Sequence, residues 1–231
     1  MLKVQCSKFK VQCLLAIALL LAACTTETYD SGDSKYSMMR ADFVETRTND
    51  AGELFCAVTD DGDSLVLSPK RTAKWAATPD SLYRALLYYN VPEAGIEVGA
   101  ISLTSVPTPS VRMKDDVKEQ QTDPVVFNSA WMSREGRYIN LGLSVKTGVA
   151  EGVDEKQSIG LMCNEITTDS EGHRHYSLTL LHAQNGVPEY YSAELFLSIA
   201  SYRLPVKPAK GDTLIITINT YKGKTEKTFV Y

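Results

Sequence analysis

The sequence predicts an all-β protein with two sheet domains, and two kinds of observation support this fold class. First, apolar and polar residues alternate along residues 138–145, 195–199 and 214–218, as they do in strands with one buried face. The apolar members of the first run are Ile139, Leu141, Leu143 and Val145. Second, short turn signals follow one another at the spacing of antiparallel hairpins. These signals are Asp50-Ala51-Gly52, Asp61-Gly62, Glu135-Gly136, Glu171-Gly172, Asn185-Gly186 and Lys222-Gly223.

The chain opens with a predicted signal peptide, residues 1–23. Three lysines precede a short apolar run, which is about half the length that a membrane-spanning helix needs. The run ends in Leu21-Ala22-Ala23-Cys24, and this tetrad resembles the lipobox of bacterial lipoproteins. The resemblance implies that Cys24 is acylated and becomes the first residue of the mature chain. The alternative is an ordinary secretory peptide with a chance cysteine.

Lipidation of Cys24 predicts a lasting membrane tether. More than one acyl chain is needed for stable anchoring, and the lipobox resemblance implies three. Residues 24–35 are polar without apolar periodicity, which predicts a flexible stalk. Position 25 is threonine rather than the aspartate typical of inner-membrane retention. We therefore expect an outer-membrane lipoprotein that faces the periplasm or the cell surface.

Charge and cysteine content limit the classes of partner. The formal net charge is −4, and it becomes −7 after cleavage because the leader takes three lysines and no acid. Such an acidic chain is poorly suited to nucleic acid, whose binding depends on neutralising phosphates. Cys56 and Cys163 remain in the body of the chain. They could pair in an oxidising envelope, but they fall in different predicted domains, which favours two separate buried thiols.

A domain boundary is predicted near residue 115. Residues 36–112 carry about five predicted strands, a number typical of an OB-like barrel. Pro107 and Pro109 interrupt the last of these, and residues 113–123 are charged and without periodicity, which predicts a linker. Residues 124–231 carry about seven predicted strands, as in a two-sheet β-sandwich.

One segment of the first domain is open to two interpretations. Residues 82–90, LYRALLYYN, follow Asp80 and Ser81, either of which can cap a helix. The aromatic content of the segment and the Pro92 that follows it favour a buried strand equally well. We interpret the segment as a strand.

Four stretches of the chain resemble a known family. They are residues 39–44 (MRADFV), 59–63 (TDDGD), 83–90 (YRALLYYN) and 140–148 (NLGLSVKTG). Together they resemble the NigD-like lipoprotein family over nearly the whole mature chain. The resemblance implies an N-terminal OB-type domain and a C-terminal β-sandwich. Because the founding member is linked by operon context to a bacteriocin locus, it also implies a role in immunity, and it carries over no catalytic residue.

The histidines do not predict a metal site. His173 and His175 are separated by one residue, so both project from the same face of a strand. His182 faces the opposite side, and no cysteine or acid stands at ligand spacing. The stretch 60–63 (DDGD) lacks the alternating ligands and the glutamate of an EF-hand loop, so a solvated hairpin turn is favoured.

Motifs of catalysis are missing from the sequence. It contains no G-x-S-x-G elbow, no phosphate-binding G-x-x-x-x-G-K-[ST] and no H-E-x-x-H. Glu189 and Glu194 have no feature that pairs them for glycoside hydrolysis. We therefore predict a protein that is not an enzyme and has no cofactor.

Aromatic side chains are the remaining candidates for binding. Trp75, Tyr88, Tyr89 and Trp131 offer flat surfaces for a glycan or a protein, although alternation places about half of such residues in a core. The first functional hypothesis is thus a non-catalytic envelope module that binds a protein or glycan. The alternative is a bacteriocin immunity or stress-protection lipoprotein. An enzyme whose site is not visible in the sequence is the third.

Overall fold

The computed structural model describes residues 38–92 and 94–231. The predicted leader, the lipobox with Cys24 and most of the stalk lie outside the described residues. The described part holds fourteen strands and three single-turn 3-10 helices, so the all-β prediction is confirmed. No helix in this part is long and apolar enough to cross a membrane.

The strands form three sheets. They are β1 (Met39–Thr48), β2 (Leu54–Thr59), β3 (Ser64–Arg71), β4 (Leu82–Asn90), β5 (Glu97–Val98), β6 (Ala100–Ser105), β7 (Val111–Met113), β8 (Val126–Met132), β9 (Tyr138–Thr147), β10 (Ser158–Thr168), β11 (Arg174–Ala183), β12 (Tyr191–Ala200), β13 (Thr213–Thr220) and β14 (Gly223–Val230). The barrel sheet has the order β5-β3-β2-β1-β4-β6. The large sandwich sheet has the order β14-β13-β11-β10-β7, and the small sandwich sheet has the order β12-β9-β8.

The barrel sheet curls into a half-barrel around its own apolar core. Its centre is β1, which pairs antiparallel with β2 and with the whole length of β4. Segment 82–90 is therefore a strand, and the helical alternative is wrong. Ala85, Leu87 and Tyr89 of β4 are buried inward. The sheet has six strands rather than the expected five because the two-residue β5 adds parallel to β3.

The two sandwich sheets enclose the larger core of the protein. The prediction for residues 138–145 is confirmed, since Ile139, Leu141 and Leu143 are fully buried between the sheets. Leu197 and Ile199 from β12 and Leu214, Ile216 and Ile218 from β13 join them. The sandwich has eight strands rather than about seven, because β7 pairs parallel with β10 at one edge.

Five of the six predicted turns close hairpins between paired neighbours. The exception is Asn185-Gly186, which forms a local turn between β11 and β12. These two strands belong to different sheets, so the turn is part of a crossover. A turn signal reports local backbone conformation only, and here Asn185 and Gly186 both have positive φ. Which sheet the next strand joins is decided by where its apolar face is buried.

The stretch predicted as a linker, residues 113–123, lies on the sandwich. Met113 pairs with Cys163 at the end of β7, and Val117 packs against Met162 and Leu181. Further on, the chain forms a parallel bridge to β11. A single buried apolar residue such as Val117 in a charged stretch produces no periodic pattern, so this packing cannot be predicted from the sequence.

A buried carboxylate ties together the turn that precedes β13. Asp212 accepts hydrogen bonds from the backbone N–H groups of Arg174 and Ala209. Its carboxylate also forms an ion pair with the Arg174 guanidinium, at an N–O distance of 2.8 Å. Burial alone would raise the pKa of Asp212, but these donors outweigh burial and hold the pKa below its ordinary value. The ionised form of Asp212 therefore stabilises the fold.

Replacing Asp212 with asparagine should lower the free energy of unfolding by about 2–3 kcal/mol at pH 7. Because a lowered carboxylate pKa gives stability that is lost on protonation, the difference from wild type should shrink as pH falls below about 4. Urea denaturation followed by circular dichroism at several pH values measures this. Asp115→Asn, at an exposed site, is the control and should change stability by less than about 0.5 kcal/mol. An equal loss in both variants would contradict the assignment.

Candidate functional site

The outer face of the barrel sheet packs against the outer face of the small sandwich sheet. Phe43 of β1 lies between Trp131 of β8 and Phe196 of β12, with ring centroids 5.1 and 5.3 Å apart. Both contacts are edge-to-face, a favoured geometry for aromatic pairs. Gly142 of β9 leaves room here, since a Cβ at that position would lie 3.1 Å from the Phe196 ring.

A buried arginine forms the polar centre of this junction. Arg84 of β4 donates from Nη2 to Asp60 Oδ2 at 2.7 Å and to Asn140 Oδ1 at 3.0 Å, and from Nε to Ser198 Oγ at 3.1 Å. Asn140 also donates to Asp60 Oδ2, and Ser198 donates to Asn140 Oδ1. The guanidinium carbon lies 4.0 Å from the centre of the Tyr138 ring. The barrel and the sandwich are thus joined by a closed set of hydrogen bonds.

A cleft of about 230 Å³ opens beside this arginine. Glu45 at its rim pairs with Arg137 and accepts a hydrogen bond from the Tyr138 hydroxyl at 2.6 Å. Burial, with the hydrogen bonds to Glu45 and Tyr202, raises the pKa of Tyr138 well above its ordinary value. Tyr138 therefore stays protonated and structural. These rim groups already satisfy one another, so the junction cleft offers few free groups for chemistry.

The four predicted binding aromatics do not converge on one surface. Tyr89 is a core residue of the half-barrel, and its hydroxyl donates to Asp42 at 2.6 Å. Burial is the first cause that raises the pKa of Tyr89. Trp75 packs edge-to-face on Tyr83 at the barrel core, and Trp131 lies in the junction. Tyr88 is half-buried on the opposite face of β4 from Tyr89.

Exposed tyrosines instead gather at the end of the sandwich that is far from Arg84. We call this surface the tyrosine end, and it consists of Val149, Tyr190, Tyr191 and Tyr221. Their exposed fractions are 83%, 71%, 55% and 46%. Large apolar side chains exposed together are more informative than single ones, because they mark interaction surfaces.

Several contacts hold the tyrosine end together. Tyr190 packs so closely on Gly148 that a Cβ there would lie 2.7 Å from its ring. Tyr191 is paired with Thr147 at the start of β12. Burial, and then the negative charge of Glu189 nearby, raises the pKa of Tyr221. The loop before β12, the end of β9 and the β13–β14 turn therefore meet in one surface.

A groove of about 420 Å³ adjoins Tyr221. We call it the β8 groove. It is lined by Val125, which bridges to Thr220 of β13, by Val126 and Phe127 at the start of β8, and by the β13–β14 turn with Lys222 and Lys224. The sequence does not predict either surface. Tyr190 and Tyr191 precede Tyr221 by some thirty residues, and the three side chains come close only in the folded protein.

The histidines lie apart from these surfaces. His173 and His175 both approach the Asp169 carboxylate, at 3.7 and 3.2 Å, in the β10–β11 turn. His182 is buried, with Asp123 O and Gln157 Oε1 as its hydrogen-bond partners. Among the residues that the structure describes, no group of three or more His, Cys, Asp or Glu side chains is arranged to hold a metal ion.

The acidic turn 60–63 forms the hairpin between β2 and β3. Its geometry is set by the Thr59 N–H, which donates to Asp63 O, and by Gly62 with φ +94°. The hairpin was predicted, but Asp60 is not a solvated turn residue. Its carboxylate is held by Arg84 and Asn140 in the junction.

The two cysteines of the body are separate free thiols. Cys163 is fully buried in the sandwich, whereas Cys56 is half-buried on β2. Burial raises the pKa of both thiols. A disulfide between the domains is therefore not formed, and neither thiol is activated for nucleophilic chemistry.

Comparison with known proteins agrees with this architecture. The family model of the NigD-like C-terminal beta sandwich domain matches residues 109–231, which is more than half of the chain. The chain belongs to the NigD-like family. A search of curated proteins finds no match for this NigD-like chain.

Solved structures share the fold of the NigD-like chain. A NigD-like immunity protein from Bacteroides caccae is 20% identical, with a TM-score of 0.62 over 83% of this chain and 96% of its own. A candidate toxin-related protein from Parabacteroides distasonis is 19% identical, with a TM-score of 0.63 over 84% and 93%. A candidate lipoprotein from Bacteroides fragilis is 14% identical, with a TM-score of 0.56 over 83% and 96%. At these identities the likeness shows the fold.

Removing the Arg84 side chain tests the junction of the NigD-like chain. Arg84→Ala leaves Asp60 and Asn140 without their donor, so the free energy of unfolding should fall by about 3–5 kcal/mol. Ser198→Ala, which removes one bond, should cost about 1 kcal/mol. Chemical denaturation measures both, and exposed Arg47→Ala is the control, with a change below about 0.5 kcal/mol. A loss at Arg84 no larger than at Arg47 would show that the network does not hold the modules together.

Proposed function

We propose that this NigD-like chain is a membrane-tethered, non-catalytic binding protein of the cell envelope, and that its binding surface is the tyrosine end. One observation carries the proposal, namely the gathering of Tyr190, Tyr191 and Tyr221 with Val149 in exposed positions on one surface. Tyrosine gives a large contact area at low entropic cost and carries a hydroxyl for hydrogen bonds, which suits both protein and glycan partners.

The contrast with the junction supports this choice of surface. In the junction Arg84 and Glu45 have partners within the protein, so their bonding capacity is used for the fold. At the tyrosine end the Tyr190 ring packs on Gly148 and the Tyr221 hydroxyl lies beside Glu189, while about half or more of each of these two side chains faces solvent. A preformed aromatic surface binds with little ordering cost.

The non-catalytic part of the proposal is supported by the state of the candidate nucleophiles and carboxylates among the described residues. Tyr138 and the two thiols have pKa values raised by burial, the reverse of what activates a nucleophile. The largely buried carboxylates of Asp60 and Asp212 are engaged in structural hydrogen bonds. The matched family is defined by a β-sandwich domain rather than by a reaction.

Truncating the aromatic rings should abolish partner capture. The variant Y190A/Y191A/Y221A and the wild type are immobilised and exposed to envelope extract and to a glycan array. Wild type should retain a partner that the triple variant loses at least tenfold, because exposed tyrosines are common hot spots of binding. The control L82A/V91A/I101A removes exposed apolar side chains of the barrel and should retain the partner. Equal capture by both triple variants would exclude the tyrosine end.

The tether is a proposal of its own, supported by the lipobox tetrad that ends at Cys24. The full chain, expressed in a bacterial host supplied with labelled palmitate, should incorporate the label and partition with the outer membrane. Cys24→Ala should carry no label, whereas Cys56→Ala should label as wild type does. Label on the Cys24→Ala variant, or none on the wild type, would refute lipidation at this residue.

Immunity is the second candidate function. It is favoured by family membership and by the fold shared with a protein named as a NigD-like immunity protein. On this proposal, deletion of the gene should sensitise its host to a bacteriocin of related bacteria, and the wild-type gene should restore protection. Unchanged growth inhibition across a bacteriocin panel would remove this candidate.

A further inference from the structure

Four large apolar side chains are exposed at the end of the barrel where the described part of the chain begins. Met38, Met39, Val91 and Ile96 have exposed fractions of 61%, 45%, 42% and 53%. We call this surface the methionine end. Single exposed apolar residues are normal on a protein surface, whereas several together mark a surface that contacts something apolar.

The strand directions place these residues at one end of the barrel sheet. β1 begins at Met39, and β4, which is antiparallel to β1, ends opposite it at Asn90. β3 runs in the same direction as β1, because β2 lies antiparallel to both. β5 is parallel to β3, and Ile96 immediately precedes it. The starts of β1 and β5 and the end of β4 therefore lie at the same end of the sheet.

Backbone hydrogen bonds hold this surface in place. The Val91 N–H donates to Met38 O at 3.0 Å, and the Val66 N–H donates to Ile96 O at 2.8 Å. Both ends of segment 91–96 are thus bonded to the barrel, and its apolar side chains are exposed on an anchored backbone. The one charged residue of this segment, Glu93, lies outside the described residues.

The position of the predicted lipid anchor indicates what the methionine end contacts. Residues 25–37 connect Cys24 to Met38, and a stretch of this length spans at most about 50 Å in any conformation. A short connection to a bilayer raises the effective concentration of lipid at this surface to about the millimolar range. A contact too weak to hold a free protein on a membrane is therefore populated once Cys24 carries acyl chains.

The side chains of the methionine end suit the boundary between lipid headgroups and acyl chains. Methionine is unbranched and polarizable and adapts to irregular apolar surroundings such as lipid tails. The first charge of β1, the Arg40 guanidinium, is paired with Asp42 at 2.7 Å and with Asp61 at 3.2 Å. Because that charge is paired within the protein, apolar burial rather than attraction to anionic lipid governs the contact.

We propose that the methionine end rests on the bilayer that holds the Cys24 lipid, with its four apolar side chains at the depth of the upper acyl chains. This inference rests on the proposed tether and adds an orientation to it. The lipidated protein is then oriented on the membrane as well as attached to it. The tyrosine end remains the surface for the polypeptide or glycan partner.

The experiment uses the lipidated mature chain in nanodiscs of phosphatidylethanolamine and phosphatidylglycerol that contain a lipid spin-labelled near the headgroup end of one acyl chain. Labelling with methyl-¹³C methionine gives five reporters in the mature chain, which are Met38, Met39, Met113, Met132 and Met162. Paramagnetic relaxation should be strong at the first two and weak at the three methionines of the sandwich, and it should persist at high salt. Stronger relaxation at the sandwich methionines would overturn the inference.

Nearness to the anchor alone also relaxes the two methyl groups, so the decisive comparison removes apolar side chains and keeps the connecting segment. V91S/I96S should lower the relaxation at Met39 about threefold or more, because less apolar area is buried. L82S/V206S, at residues 41% and 42% exposed, should lower it less than about 1.5-fold, since Leu82 lies at the other end of β4. Both variants should keep the wild-type circular dichroism spectrum. Equal relaxation in V91S/I96S and wild type would overturn the inference, and fewer chains per nanodisc in that variant would then assign the surface to a second copy.

The outcomes separate this inference from the proposed function. A chain that carries no acyl group defeats the tether and the inference together, whereas an acylated chain whose Met39 methyl is not relaxed by lipid defeats the inference alone. Partner capture should be unchanged in V91S/I96S, and Y190A/Y191A/Y221A should be relaxed at Met39 as wild type is. Loss of the partner in V91S/I96S would show that the methionine end binds that partner and would overturn its assignment to lipid.

Discussion

One buried guanidinium determines how the two β modules sit on each other. Arg84 comes from the barrel sheet, and its partners come from the β2–β3 turn and from two strands of the small sandwich sheet. A buried ion pair adds little net stability compared with apolar packing of the same volume, since its desolvation cost offsets its attraction. Its bonds are directional, however, and a guanidinium with several fixed donors is satisfied in only one arrangement. The aromatic contacts of Phe43 bury apolar surface between the barrel and the sandwich, and the hydrogen bonds of Arg84 determine their relative orientation.

That constraint explains which parts of the fold the sequence could predict. The inner face of β9 was predicted correctly because alternation reports which side is apolar. The opposite face, with Tyr138, Asn140 and Gly142, looks solvent-facing in the sequence but is buried, because a second module covers it. No pattern within one strand distinguishes a polar residue facing water from one facing a buried arginine. The available signal was Arg84 itself, a single charge in the apolar run of β4.

The binding surface was harder to predict than the fold, for a related reason. Sequence analysis singled out neighbouring aromatic residues such as Tyr88 and Tyr89. A strand rich in aromatic residues, however, is as typical of a buried core as of a binding surface. The structure places Tyr89 inside the half-barrel and brings Tyr221 to the loop that carries Tyr190 and Tyr191. This convergence depends on the crossover after Asn185, which sends β12 to the opposite sheet from β11.

The two ends of the sandwich differ in how their polar groups are used, and this difference separates structure from function. At the junction Asp60 is bonded to Arg84 and Glu45 is bonded to Arg137, so adding a ligand there would require breaking internal bonds. In the β8 groove, beside the tyrosine end, Lys222 and Lys224 lie on the exposed β13–β14 turn next to Val126. Lys227 of β14 is turned inward, with its Nζ 4.6 Å from the centre of the Phe127 ring. An inward-facing lysine on an edge strand opposes edge-to-edge pairing of sheets, so this side of the sandwich is protected from association while the tyrosine end keeps its rings exposed to solvent.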